Sequence, residues 1–220
     1  LNRFHLFITS KHSETLWRNQ PESLYRKVIE FCMLLTGLVN TTIPHDEGWH
    51  FLQTGKMLER ADKTTRVLDM LAAQVENNHI RLASALRCCS AFSAFKADTR
   101  SHSITLDNTM SFLLFSPSFP RSVRFCIRQL DHHLHTISAT PAGSFSNEAE
   151  RLTGNLLARL NFSNLHSVTE TGYHAYIDSL QEQFNDIGQK VFETYILLPL
   201  EIKCLSQNDF IHWQHQQQQQ

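Results

Sequence analysis

The stretch HDEGWHFLQTGKMLERADKTTRVLDML, residues 45–71, has the longest uninterrupted helical pattern in the chain. At 100° per residue its apolar side chains fall on one broad arc, as an amphipathic core helix requires. The pattern predicts a long helix over about residues 43–75, around which the rest of the chain packs. Its apolar arc comprises Trp49, Met57, Ala61, Val67, Leu68, Leu71, Ala72 and Val75.

Arg60 lies inside this arc, whereas the side chain of its neighbour Glu59 points roughly 100° away. The two side chains are therefore not expected to form an ion pair. Because a buried guanidinium without a partner costs several kcal/mol, we expect a carboxylate or backbone carbonyl groups from another helix to meet Arg60. Gln53, Thr64 and His50 lie near Arg60 on the same side of the helix. This group fits either a buried structural network or a ligand site.

The composition indicates an all-α protein. The 220 residues include 7 Gly and 6 Pro, and Leu, Ala, Gln and Glu fill long periodic runs with little strand-like alternation. A chain of this length can bury about 70% of its unfolded-chain surface without disulfides or metals. We predict a bundle of about seven to eight helices around the long central helix.

The charge pattern argues against a nucleic-acid partner, and the short apolar runs argue against a membrane-spanning helix. The formal net charge is −1 with a pI near 7.0, and Lys and Arg do not gather on one face, which argues against nucleic-acid binding. No apolar run approaches the ~20 residues of a membrane helix. The 5 cysteines lack any C-x-x-C spacing. They are interpreted as reduced thiols of a cytoplasmic protein.

Further helices are predicted on both sides of residues 43–75. Leu1–Ile8 has the pattern of a helix tail, and a helix from Pro21, apolar on almost all sides, is predicted to be central. Later helices are predicted over about residues 79–95, 108–115, 120–135, 147–160 and 169–197. Residues 1–200 are predicted to form one helical domain, and residues 201–220 a C-terminal extension that ends in a Gln-rich tail.

The spacing of the histidines argues against a metal centre. His45 and His50 are five residues apart, roughly 140° round the helix, whereas the zinc-protease motif needs histidines four apart on one face. The two E-x-x-H matches, residues 47–50 and 76–79, are about 40 Å apart along one helix. A cluster of one aspartate and three histidines either binds a metal ion adventitiously or forms a solvated helix C-terminus. It comprises Asp131, His132, His133 and His135. We expect no metal ion and no cofactor.

Two other groups of residues have competing interpretations. Arg121, Ser122 and Arg124, at the start of a predicted helix, either hold a phosphate or carboxylate or form a solvated first turn. Cys88 and Cys89 have no base near them in the sequence, so they are interpreted as core thiols rather than nucleophiles.

Three segments resemble the bacterial alpha-E domain family, a helical domain named for a Glu-Arg motif. They are HDEGWHFLQTGKMLERADKTTRVLDM (45–70), SFLLFSPSFPRSVRFCIRQLD (111–131) and YIDSLQEQFNDIGQKVFETYI (176–196). The resemblance covers the C-terminal two-thirds of the chain and places Glu59 and Arg60 at the motif, with Lys56 where arginine is more usual. Members usually begin with an earlier helix containing a G-R-x-x-E-R-A pattern. Leu1–Asn40 has none, so the family's N-terminal part is expected to be missing.

The resemblance also implies partners. Family members are encoded or fused with circularly permuted ATP-grasp ligase-like proteins and transglutaminase-like proteases, which implies a bacterial peptide-synthesis or protein-modification system. We interpret the chain as a non-catalytic accessory protein that binds an ATP-grasp-type partner or its peptide product. Self-association is also expected, because a missing N-terminal part would leave apolar surface exposed. The predicted contact residues are Glu47, His50, Glu59, Arg60, Arg121 and Arg124.

The alternative interpretation is an enzyme of the same system. It requires an acid–base and anion-binding cluster whose side chains converge on one cleft. The residues of this cluster would be Glu47, His50, Glu59 and Arg60.

Overall fold

The computed structural model describes residues 2–73, 78–98, 103–141 and 143–197. Within these ranges the chain forms eleven α-helices and no strand, which confirms the all-α prediction and exceeds the seven to eight helices expected. The predicted extension over residues 201–220 and the apolar-arc residue Val75 lie outside the described residues. By its internal contacts the chain divides into two compact units, Leu1–Trp49 and His50–Gln220.

The first unit contains α1 (Asn2–Ile8), α2 (Lys11–Asn19) and α3 (Pro21–Thr42). The Ser10 side chain accepts a hydrogen bond from the backbone N–H of Ser13 and caps α2. Pro21 occupies the first turn of α3, as predicted, where its missing N–H costs nothing. The ring of Phe31 packs against those of Phe4 and Phe7, with centroids 5.1 and 5.9 Å away.

The sequence predicts that α3 is central, but few of its residues are buried within the first unit. Leu24 is its one buried residue, and large apolar side chains from Tyr25 to Leu38 remain exposed. The sequence shows that α3 is apolar on almost all sides, but it does not show how many helices are available to cover it. The α3 helix has 22 residues, whereas α1 and α2 have 7 and 9.

The predicted long helix is α4 (Glu47–Ala72), somewhat shorter than residues 43–75. Four of the predicted apolar-arc residues are buried, namely Met57, Ala61, Leu68 and Leu71. The same helix also buries four polar residues, Gln53, Thr54, Thr64 and Thr65. The inner face of α4 is therefore more polar than the apolar arc indicated.

The remaining helices are α5 (His79–Cys88), α6 (Phe92–Ala97), α7 (Leu106–Phe115), α8 (Val123–Ser138), α9 (Glu148–Phe162), α10 (Leu165–Thr171) and α11 (Tyr173–Phe192), and α11 continues as one π-helical turn over Glu193–Leu197. Two predicted helices are divided in the structure. The chain turns at Ser90, with φ 53°, between α5 and α6, and at Gly172, with φ 90°, between α10 and α11. Both residues are in the left-handed region, which ends a helix.

The core of the second unit lies where α8 packs on α9 and α9 packs on α11. Val123, Ile127, Leu130 and Leu134 recur at helical spacing in the sequence, and all four are fully buried on the inner face of α8. The side chain of Asn147 caps α9 by accepting a hydrogen bond from the backbone N–H of Glu150, three residues on. None of the described helices is both long and apolar enough to cross a membrane.

Candidate functional site

Arg60 lies on the side of α4 that faces the loop preceding α8. Its guanidinium Nη1 donates a hydrogen bond to the backbone carbonyl oxygen of Pro120, at 3.1 Å. One turn further along α4, the hydroxyl of Thr64 donates to the carbonyl oxygen of Arg121, at 2.9 Å. The predicted backbone acceptor for Arg60 is therefore present, although it belongs to a loop rather than to another helix.

Lys56, Arg60 and Arg121 form a group of positive charges at this junction. Burial lowers the pKa of Arg60, and the charge of Arg121 lowers it further. Burial also lowers the pKa of Lys56, and the charge of Arg60 adds to that shift. Like charges held this close repel one another, so an anion placed among them would be attracted by all three.

A cavity of about 260 Å³ opens beside this group. Its wall includes Arg60 and Arg121 together with Glu59, Lys63, Thr64 and Cys89. Glu59 and Lys63 offset each other, because the Glu59 carboxylate lies 3.5 Å from the Lys63 ammonium and both side chains are exposed. The remaining charge of the wall is that of the two guanidinium groups. We refer to this site as the Arg60–Arg121 pocket.

The two buried thiols near the pocket are not activated. The Cys126 thiol donates to the Pro120 carbonyl oxygen, at 3.6 Å, and burial raises its pKa to about 12. Burial likewise raises the pKa of Cys89 to about 11. Both thiols are protonated at neutral pH and do not act as nucleophiles there. Cys89 is a buried thiol as predicted, whereas Cys88 is exposed and not part of the core.

The other predicted contact residues do not join the pocket. His50 lies ten residues before Arg60, about 15 Å along α4, and its ring faces His133 of α8. Arg124 donates from its Nε to the side-chain oxygen of Asn161 on α9, at 2.8 Å. Glu47 is exposed in the first turn of α4. The structure thus brings together Glu59, Arg60 and Arg121 and leaves the other three elsewhere.

The histidine group of α8 forms neither of the two arrangements considered for it. His133 is buried, and its Nδ1 lies 3.0 Å from Nδ1 of His50. His135 bonds through its two ring nitrogens to the carbonyl oxygens of Asp131 and Ser144, at 2.8 and 3.0 Å. These residues face different partners, so they neither converge on one metal position nor form a solvated helix end.

A different set of residues has ligand atoms close enough for a metal ion. Asp69 of α4 and His174 and Asp178 of α11 have such atoms within 4.8 Å of one another. The Nδ1 of His174 lies 2.6 Å from the Asp69 carboxylate, a hydrogen-bond distance, and its Nε2 lies 3.3 Å from the Asp178 carboxylate. Such an arrangement suits a protonated imidazole between two carboxylates. No local sequence pattern indicates this group, because Asp69 and His174 are 105 positions apart.

A family model named Alpha-E, described as "A predicted alpha-helical domain with a conserved ER motif", matches residues 1–196. The match covers nearly the whole chain, including α1 to α3, so the prediction that it covers only the C-terminal two-thirds is wrong. Comparison with curated proteins and with solved structures finds no match. The chain contains Glu-Arg at residues 59–60 and at residues 150–151, and the first pair is the one beside Arg121.

Proposed function

The chain belongs to the Alpha-E family, and we propose that it is a non-catalytic binding protein that holds an anionic group of its partner in the Arg60–Arg121 pocket. The observation that supports this proposal is the unbalanced positive charge of the pocket wall. Glu59 is offset by Lys63, whereas no carboxylate among the described residues forms an ion pair with Arg60 or Arg121.

The hydrogen-bonding capacity of Arg60 also supports an anion site. A guanidinium has five N–H donors, and within the described residues Arg60 uses one of them, on the Pro120 carbonyl oxygen. Its position also places it where water is partly excluded, so that charge-assisted hydrogen bonds are stronger than at a fully exposed surface. An incoming anion would meet donors that are already positioned.

The size of the pocket and the geometry of arginine indicate the chemical class of the group. A volume of about 260 Å³ is smaller than the ~300–1,000 Å³ typical of pockets that enclose a whole small molecule. The pocket therefore suits one functional group of a ligand and the few atoms bonded to that group. The planar fork of arginine matches the two oxygens of a carboxylate or phosphate. We therefore propose that the occupant is a carboxylate or phosphate that belongs to a larger partner.

The proposed partner is the circularly permuted ATP-grasp-type ligase, or its peptide product, that the sequence resemblance implies. A transglutaminase-like protein of the same cytoplasmic system is the second proposed partner. A peptide product would present carboxylate groups, and these are the anions that the pocket is suited to hold. The near-neutral charge of the chain agrees with a local anion site rather than an extended nucleic-acid surface.

The arrangement of the residues favours binding over the enzymatic alternative. That alternative needs the acid–base cluster to share one cleft. In the structure the His50 ring faces His133, the Glu59 carboxylate faces Lys63, and Arg60 faces Pro120. Glu59 and Arg60 share the wall of the Arg60–Arg121 pocket, but the histidine that would act as the acid or base lies about 15 Å away along α4, which favours a binding module.

Ligand-dependent thermal unfolding tests the anion site. The probes are inorganic phosphate, acetate, and a short peptide with a free C-terminal carboxylate compared with the same peptide amidated, all at constant ionic strength. We expect the first three to raise the Tm of the wild type, because a ligand at 100 times its Kd adds about 2.7 kcal/mol of stability. Arg60→Gln and Arg121→Gln should each abolish that rise.

The matched control is Arg66→Gln, also on α4, whose guanidinium is exposed and pairs with Asp62. It should retain the full anion effect. Equal responses in all four proteins, or no response to any anion, would overturn the anion site. Binding of a purified ATP-grasp-type ligase to wild type and to Arg60→Gln then tests the partner separately. A ligase that does not bind the wild type would overturn the partner and leave the anion site standing.

A further inference from the structure

A cavity of about 380 Å³ lies between α8, α9 and the loop that joins them. Its volume is within the ~300–1,000 Å³ typical of pockets that hold a small molecule. It shares no lining residue with the Arg60–Arg121 pocket, and its described wall belongs entirely to the second unit of the chain. We refer to it as the Asp131 cavity, after the carboxylate that lines it.

The Asp131 carboxylate is largely buried and lacks hydrogen-bond donors. Its side chain is 24% exposed, and no described residue donates a hydrogen bond to it. Nδ1 of His135 is 3.6 Å from Oδ1, beyond hydrogen-bond distance, and it donates instead to the backbone carbonyl oxygen of Asp131, at 2.8 Å. Burial raises the pKa of Asp131, because few groups stabilise its charge. A cation supplied by a ligand would be attracted to this carboxylate.

The described wall of the cavity has more negative than positive charge. Its two carboxylates are those of Asp131 and Glu150, and hydrogen bonds from the turn before α9 already engage the second one. Arg151 is paired with Glu148. His135 adds one positive charge when it is protonated, which still leaves the wall negative. The cavity therefore attracts cations and repels anions.

Gly154 keeps the space beside Asp131 open. It lies in the middle of α9, where glycine is less favourable than alanine. Among the described residues, a methyl group at this position would meet one atom within 4 Å, Oδ1 of Asp131, at 3.8 Å. Alanine would fit there without a clash, but its methyl group would occupy the space in front of the carboxylate. The missing side chain thus leaves Asp131 accessible from the cavity.

Two exposed aromatic rings line the same cavity, those of Phe145 and Phe162, which are 60% and 90% exposed. Aromatic rings attract cations at their faces and pack against the methylene groups of an alkylammonium. Asp131 alone offers a carboxylate without hydrogen-bonding partners, whereas Mg²⁺ and Ca²⁺ need several oxygen ligands. We propose that the Asp131 cavity binds an ammonium group on an alkyl chain, as in a free amine or the side chain of a lysine residue.

An NMR titration of the backbone amide signals tests the proposal residue by residue. The probes are butylammonium, Nα-acetyl-lysine amide and its uncharged counterpart Nα-acetyl-norleucine amide, all at pH 7 and constant ionic strength. We expect the ammonium compounds to shift the signals of Phe145 and Gly154 with a Kd on the order of 1 mM. The norleucine compound should bind at least tenfold more weakly. A response to Nα-acetyl-lysine amide but not to butylammonium would support the proposal and restrict the ligand to peptides.

Two variants test the residues on which the proposal depends. Asp131→Asn should weaken binding at least tenfold without lowering the Tm, because the carboxylate has no hydrogen bond to lose. Gly154→Ala should raise the Tm by about 2–4 °C and still weaken binding at least threefold. The control is Asp186→Asn, because Asp186 is exposed on α11 and lies outside the cavity. It should bind like the wild type.

Three results would overturn the proposal. They are no shift with either ammonium compound at ~50 mM, equal binding of the norleucine compound, and unchanged affinity in Asp131→Asn. Magnesium chloride that shifts the same signals and displaces butylammonium would identify a metal site instead, and would overturn it as well. Arg60→Gln should bind the ammonium compounds like the wild type, so a failure here leaves the anion site standing.

Discussion

His50 and His133 face each other between α4 and α8 with their Nδ1 atoms 3.0 Å apart. One of the two nitrogens must be protonated and donate to the other, so the pair is suited to two neutral rings. Burial, followed by the charges of His132, His50 and Lys56, lowers the pKa of His133 to about 4. Proton binding by His133 therefore opposes folding.

The first prediction is that stability falls as the pH is lowered from 6.5 towards 4. His133 takes up a proton in the unfolded chain near pH 6.5 but in the folded chain only near pH 4. The unfolded state thus binds more protons in this window, and at most about 3 kcal/mol is lost. Urea melts across this range should show that His133→Asn, which retains a donor but does not titrate, has a flatter pH dependence. The control is His79→Asn, because His79 of α5 is exposed and is not among the charges that lower the pKa of His133. Equal pH slopes in both variants would contradict the prediction.

The second prediction concerns Glu150, which is 1% exposed. Its carboxylate accepts hydrogen bonds from the backbone N–H and hydroxyl of Ser146, at 2.8 and 2.9 Å, and from the Asn147 side chain, at 2.8 Å. Burial works to raise the pKa of Glu150, but these bonds and the charge of His135 outweigh it and lower the pKa. Glu150→Gln turns an NH₂ donor towards other donors, so we expect a loss of about 2 kcal/mol at pH 7.

Guanidinium-induced unfolding measures this loss. Glu148→Gln is the control, because Glu148 is in the same helical turn but exposed and paired with Arg151. It should change stability by no more than about 0.5 kcal/mol. Equal effects of the two substitutions would show that the bonds to Glu150 contribute nothing beyond a surface charge.

The third prediction concerns the imidazole of His174. A hydrogen bond to Asp69 and the nearby charges of Asp178 and Asp69 raise its pKa above 6.5. Its stabilising effect is therefore present below pH 6.5 and is lost as the pH rises through the folded pKa, opposite in sign to that of His133. An NMR titration should show the raised value in the wild type and a lower one in Asp69→Asn, whereas Asp62→Asn should leave it unchanged.

The same titration with one equivalent of zinc tests the expectation that no metal binds. Zinc would compete with the proton for the ring nitrogens and lower the apparent pKa. We expect no change on adding zinc. A clear fall would instead identify the Asp69, His174 and Asp178 group as a metal site.

The sequence predicts the buried face of a helix when its apolar residues form a single periodic stripe. The α8 stripe from Val123 to Leu134 is fully buried, because its periodicity leaves one side for the core. The buried face of α3 could not be predicted in this way, since its second half is apolar on almost all sides. Burial of its residues depends on what else is available to cover them.

In the site, too, the sequence predicts what depends on one helix and not what depends on the contact between two. Helical periodicity was enough to place Arg60 on the inner side of α4 and Glu59 on the outer side, since both positions depend only on the turn of one helix. The proximity of Arg60 to Arg121, and of His50 to His133, depends on how α4 meets α8. No local pattern encodes a contact between residues 60 or more positions apart.

The fourth prediction is that Arg60→Met changes the free energy of unfolding by less than about 1 kcal/mol. A fully buried guanidinium would cost far more to remove, about 3 kcal/mol, because its acceptors would remain unpaired in the interior. Arg60 is only partly buried and makes one hydrogen bond, to Pro120. Removing its charge also relieves repulsion with Lys56 and Arg121. Denaturant melts of wild type, Arg60→Met and Arg60→Ala measure the difference. A loss of 3 kcal/mol or more in Arg60→Ala, partly recovered in Arg60→Met, would make Arg60 a structural residue and contradict its role in the pocket.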